Sequence, residues 1–76
     1  MWKWSKEGSD IVLSVNDHGD ADYRAEVGRI RKLNSGAWGY ALGNRRFEPA
    51  ASISAAMCSL AATAGLSFPE MMEAFE

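Results

Sequence analysis

The stretch Asp17-His18-Gly19-Asp20-Ala21-Asp22 is the densest run of potential ligands in the sequence. Carboxylates at this spacing suit a hard cation. An EF-hand loop, however, needs oxygens at positions 1, 3, 5 and 12 with glycine at 6, and this run does not supply them. A transition metal would require a second His or Cys nearby, and His18 and Cys58 are single copies forty positions apart. The run therefore reads as a solvated turn whose Asp side chains bond local backbone, and no metal or other cofactor is expected. His18 also lacks a nucleophile beside it, since Cys58 and the later serines fall on a different predicted element. Gly36, Gly39 and Gly43 precede no helix start of the phosphate-loop kind. The chain is read as a non-enzyme, with Cys58 as a small buried apolar residue.

Charge carries more information. Residues 1–22 sum to −3, residues 23–46 to +5 and residues 47–76 to −4, so the total of −2 hides a basic middle between acidic ends. Such sorting suits a protein that presents a charged face to a macromolecule. The basic set is Arg24, Arg29, Arg31, Lys32, Arg45 and Arg46, with Trp38 and Tyr40 between its members. Cations for phosphate and rings for bases are what a sheet-based DNA- or RNA-binding module uses, here along strands 24–46. The acidic set of the N-terminal part is Glu7, Asp10, Asp17, Asp20 and Asp22.

The elements that must position these residues follow from periodicity. Ile11, Leu13 and Val15 alternate with Val12, Ser14 and Asn16 as a strand, and Trp2 and Trp4 alternate with Lys3 and Ser5 ahead of the turn Glu7-Gly8-Ser9-Asp10. Tyr23 to Leu33 is a strand whose phase slips near Gly28, where a bulge would restore it. Asn34-Ser35-Gly36 is a hairpin turn, and Ala37 to Leu42 is the strand after it. Glu48-Pro49 opens the helical half. Ser52 is its N-cap, Ile53, Met57, Leu60 and Ala64 its stripe, and Gly65 with Leu66 its C-terminal signal. Ser67-Phe68-Pro69-Glu70 is a capping box for a second helix with Phe68, Met71, Met72 and Phe75 on its apolar side.

The expected fold is α+β: a three- or four-stranded antiparallel sheet (strands within 1–46), then an Ala-rich helix and a short C-terminal helix (within 49–76), all in one domain. Small residues at Ala25, Gly28, Gly39 and Ala41 would let a helix lie close across the sheet. If those small faces meet the helix, Trp38 and Tyr40 point away from it. Large apolar side chains are usually buried, which favours Trp38 and Tyr40 facing the helix as core.

A 76-residue chain sits near the lower limit for a self-supporting core, so a homodimer is a natural reinforcement. With one cysteine there is no disulfide framework, which points to a reducing interior such as the cytoplasm of a bacterial host cell. The N-terminus lacks the apolar run of a signal peptide. The apolar stretch 50–66 is interrupted by Ser52, Ser54, Ser59 and Thr63 and falls short of a bilayer span, so no membrane partner is expected.

The Trp-x-Trp opening into a hairpin, the strand pair Tyr23–Leu33 and Ala37–Leu42, and the closing Ala-rich helix over 50–64 resemble, in size and layout, the small phage-encoded anti-CRISPR proteins that act on type I systems. The resemblance extends over the full sequence but is architectural, and such proteins share no motif from which a residue's role transfers. It implies a non-enzymatic inhibitor that binds a type I CRISPR-Cas surveillance complex and blocks target DNA binding or nuclease recruitment. Glu7, Asp10, Asp17, Asp20 and Asp22 would then stand in for phosphates against the complex's basic residues. The basic middle departs from a pure DNA mimic. The nucleic-acid module remains the alternative, and a third reading is oligomerisation through the aromatic face.

Overall fold

Alternation of large with small or polar residues over the first fifty positions builds a meander, and the Ala-rich segment after it supplies one covering layer. The structure is a computed structural model and describes residues 2–16 and 25–75. Strands β1 (Trp2–Glu7), β2 (Asp10–Val15), β3 (Ala25–Lys32), β4 (Trp38–Leu42) and β5 (Glu48–Ala50) form one antiparallel sheet in sequence order, followed by helices α1 (Ile53–Ala64) and α2 (Phe68–Ala74). The α+β class is as expected, but the sheet has five strands rather than three or four. The addition is β5, where the helical half was expected to begin. Its Pro49 is tolerated because β5 lies at the sheet edge, where a missing N–H can face outward. The Trp-Lys-Trp opening forms β1, paired along its whole length with β2.

Cross-strand register sorts the side chains into rows. Trp4, Leu13, Gly28 and Leu42 form one row, and Lys6, Ile11, Ile30, Tyr40 and Glu48 another. Lys32, Trp38 and Ala50 form a third. These rows face the helices: α1 packs on β3, β4 and β5, while α2 packs on β1. Leu13, Ile30 and Leu60 are fully buried at the centre, and Trp2, Trp4, Trp38 and Tyr40 pack around them. The aromatics therefore face the helical layer, as the core reading expected.

Close approach of α1 depends on Gly28. A Cβ there would lie 2.6 Å from Leu60 Cδ1 and 2.8 Å from the Ala41 carbonyl oxygen. The expected phase correction occurs one residue earlier: Leu13 pairs with Gly28 and Ser14 with Glu26, leaving Val27 without a partner on β2.

The helix signals hold. Ser52 Oγ accepts from the Ala55 N–H at 3.1 Å. Gly65 closes α1 in the left-handed region at φ 86°, and the buried Leu66 donates its N–H to the Ala61 carbonyl. Ser67 and Glu70 form the capping box of α2. One expectation fails. Cys58 lies on the outer, exposed face of α1 rather than in the core, because Ala56, Leu60 and Ala61 occupy the buried stripe.

Candidate functional site

The sheet face away from the helices carries the ion-paired side chains. Ser5, Val12, Arg29 and Ala41 form one of its rows, and Arg31, Gly39 and Pro49 another. Val12 and Ala41 are only 4% and 3% exposed, although both helices lie on the opposite side; Arg29 sits between them in register. Its guanidinium meets three carboxylates. Nη1 donates to Asp10 Oδ2 at 2.9 Å and Nη2 to Glu7 Oε1 at 3.1 Å. Nε and Nη2 hold both oxygens of Glu26 at 3.1 and 2.8 Å, the bidentate geometry that makes Arg–carboxylate pairs strong. Arg31 Nη2 shares Asp10 Oδ2 at 3.0 Å, and its guanidinium carbon lies 5.0 Å from the centre of the Phe47 ring.

The titration behaviour follows from these contacts. Hydrogen bonds from Arg31 and then Arg29 hold the Asp10 carboxyl below the ordinary aspartate range. The Arg29 hydrogen bonds do the same for Glu26. Arg29 is in turn held charged, first by Glu26, then by Asp10 and Glu7. Two of the acidic residues expected to face a partner, Glu7 and Asp10, are thus engaged inside the molecule. Asp17, Asp20 and Asp22, the rest of the run around His18, and Arg24 lie outside the described residues.

Among the described residues, the basic set does not assemble into a stripe with rings between its cations. Arg29 and Arg31 project from the open face and are ion-paired, whereas Trp38 and Tyr40 belong to rows on the helical face. Lys32 shares the row of Trp38 at the hairpin end of the sheet. Arg45 and Arg46 follow β4 in the turn at the other end. Among the described residues, the ring that does meet a cation is Phe47, which sequence reading passed over. Its signal was its place directly after Arg46, at the entrance to a strand not expected there.

The surface that sequence reading missed lies on α2. Phe68, Met72 and Phe75 are 74%, 57% and 60% exposed. Scattered exposed apolar residues are ordinary; three at i, i+4 and i+7 on one helical face form a patch. The patch reaches the sheet, because the Phe75 and Trp4 rings lie 6.2 Å apart and tilted by 39°. Glu70 fixes α2 in place: its Oε2 accepts from Trp2 Nε1 at 2.9 Å and its Oε1 from the Ser67 N–H at 2.8 Å. The Ser67 backbone and then the Trp2 indole hold the Glu70 carboxyl below the ordinary range. The neighbouring α1 carries no charged residue, and its outer positions Ser54, Cys58 and Ala62 are small and exposed. The amphipathic pattern of α2 was legible, but not that, of its apolar residues, Met71 and Ala74 would turn inward while Phe68 and Met72 stayed exposed.

No protein-family model, curated protein or solved structure matches this chain. No helix among the described residues is long and apolar enough to cross a membrane.

Proposed function

We propose that this protein is a non-enzymatic binding domain that acts by contact with another protein, through the helical layer and chiefly α2. The observation that carries this reading is the run of Phe68, Met72 and Phe75, exposed on one face and continuous with Trp4. Protein interfaces centre on aromatic and Met side chains with few charges, which is the composition of this patch. The architectural resemblance gives the reading its specific form: a phage-encoded inhibitor that docks on a type I CRISPR-Cas surveillance complex. It would obstruct target DNA binding or nuclease recruitment by steric occupation. Phosphate mimicry is the less favoured route, because Glu7 and Asp10 are turned toward Arg29.

The nucleic-acid reading is weaker on the same geometry. Arg29 and Arg31 hold carboxylates, and the rings meant to stack bases face the core. The test is size-exclusion co-elution with a purified type I surveillance complex, followed by target-DNA capture. Co-elution with reduced DNA capture supports the inhibitor. Salt-sensitive binding of the isolated protein to DNA, without co-elution, overturns it.

A further inference from the structure

The arginines among the described residues fall into two groups. Arg29 and Arg31 are neutralised on the open face. Arg45 and Arg46 make no side-chain ion pair or hydrogen bond with another described residue. They are nonetheless held on a pinned segment. The Gly43 N–H donates to the Val27 carbonyl at 2.9 Å and the Arg45 N–H to the Leu42 carbonyl at 3.2 Å. Gly43 takes the left-handed φ of 60° that the turn needs, and strand pairing resumes at Tyr40 and Glu48. Two adjacent like charges are thus presented by a preorganised turn, with Glu48 in the same lining but no ion pair to either among the described residues.

Both arginines line a cleft of about 210 Å³ with Tyr40, Leu42, Glu48 and Thr63. The Thr63 hydroxyl donates to the Ser59 carbonyl at 2.8 Å, so it has no hydrogen left for a ligand. Among the lining side chains, the donors left for an incoming group are the guanidiniums and Tyr40, whose hydroxyl has no partner among the described residues. We propose that this cleft binds a single carboxylate of a protein partner, an Asp or Glu side chain or a C-terminal carboxylate, between Arg45 and Arg46. The guanidinium fork matches a carboxylate in the bidentate manner Arg29 already shows with Glu26.

Three features favour a carboxylate over a nucleic-acid backbone. The cleft is below the size of ordinary small-molecule sites. Glu48 lines it and would repel a second negative charge close behind the first. A phosphate track needs a row of cations, yet Lys32 is at the opposite end of the β3–β4 pair and Arg29 and Arg31 are spent on the other face. The site extends the protein-binding reading, but its test needs no partner complex and can fail separately from it.

The test is an NMR titration of the whole protein, observing backbone amides and arginine Nε–H signals. The probe is the capped dipeptide acetyl-Ala-Glu-amide, which carries one carboxylate, with chloride at matched ionic strength and a ten-residue oligothymidylate as comparisons. Saturable shifts of Arg45, Arg46 and Tyr40 with the dipeptide are expected, with Arg29 unmoved. Affinity should fall about tenfold or more in Arg45→Gln/Arg46→Gln. That double variant should melt no lower than the parent, since it removes repulsion. Shifts reproduced by chloride, unchanged binding in the variant, binding of the oligonucleotide alone, or a variant that melts lower would each overturn the proposal.

Discussion

Trp2 and Glu70, sixty-eight positions apart, are joined by a 2.9 Å hydrogen bond from the indole N–H to the carboxylate. The same carboxylate caps the Ser67 N–H, so a single residue both starts α2 and fastens it to the edge strand β1. Among the described contacts this is the polar tie that sets the angle at which α2 presents its exposed face.

Glu70→Ala should therefore loosen α2 before the rest of the fold. Hydrogen exchange at the Glu70 to Ala74 amides should quicken while Leu13 and Ile30 stay protected. Trp2→Phe, which removes only the indole donor, should show a smaller version of the same effect. Uniform loss of protection across sheet and helices in either variant would show that α2 is not held separately.

Acid should act through the same class of contact. Asp10, Glu26 and Glu70 titrate below their ordinary values of 3.8, 4.5 and 4.5. Groups with depressed folded values contribute their full stability above the unfolded values and lose it as pH falls through the folded ones. The melting temperature should be level above about pH 5.5 and fall below about pH 4.5. In Arg29→Met the melt should be lower at pH 7 and the acid slope shallower, so the two curves converge in acid. Parallel curves would show that Arg29 does not hold these carboxylates.

Gly28→Ala tests the helix–sheet approach. Leu60 can shift away from a new methyl group, but the Ala41 carbonyl is backbone and cannot. The cost should be about 1–3 kcal/mol, lowering the melt by about 4–8 °C per kcal/mol in a domain of this size. Leu60→Ala, which alone should cost about 2–5 kcal/mol as a truncation in the core, should cost less in the Gly28→Ala background, since it relieves one of the two clashes. A neutral Gly28→Ala would contradict the packing.

Cys58 should react with a thiol reagent in the native protein about as fast as in denaturant, because its face of α1 is exposed. Protection in the native state would indicate that another molecule covers this face.

Much of the frame was legible because local chemistry and tertiary need agree there. Ser52, Gly65 and the Ser67–Glu70 box end helices wherever they stand, and the small Gly28 marks a close approach. The fifth strand was not legible, since Glu48-Pro49 is as good a helix opening as an edge strand and only pairing with β4 decides. Charge misled for a related reason. Glu26 sits within the basic middle and Glu7 and Asp10 outside it, yet register brings all three onto Arg29. A linear charge count records separation where the sheet makes neutralisation. On α2 the period announced an apolar face but not its direction, which the Trp2–Glu70 bond and the Trp4–Phe75 contact set from sixty-eight and seventy-one positions away.

The most direct test of the protein-binding account is calorimetric titration of a purified type I surveillance complex with the parent protein and with Phe68→Asp/Met72→Asp. Both residues are exposed, so the variant should fold and melt as the parent does. Losing two large apolar contacts at about 1.5–3 kcal/mol each should weaken binding on the order of a hundredfold or more. Saturable binding of the parent with that loss in the variant is the predicted result. No binding by the parent, or equal binding by both, would contradict the account.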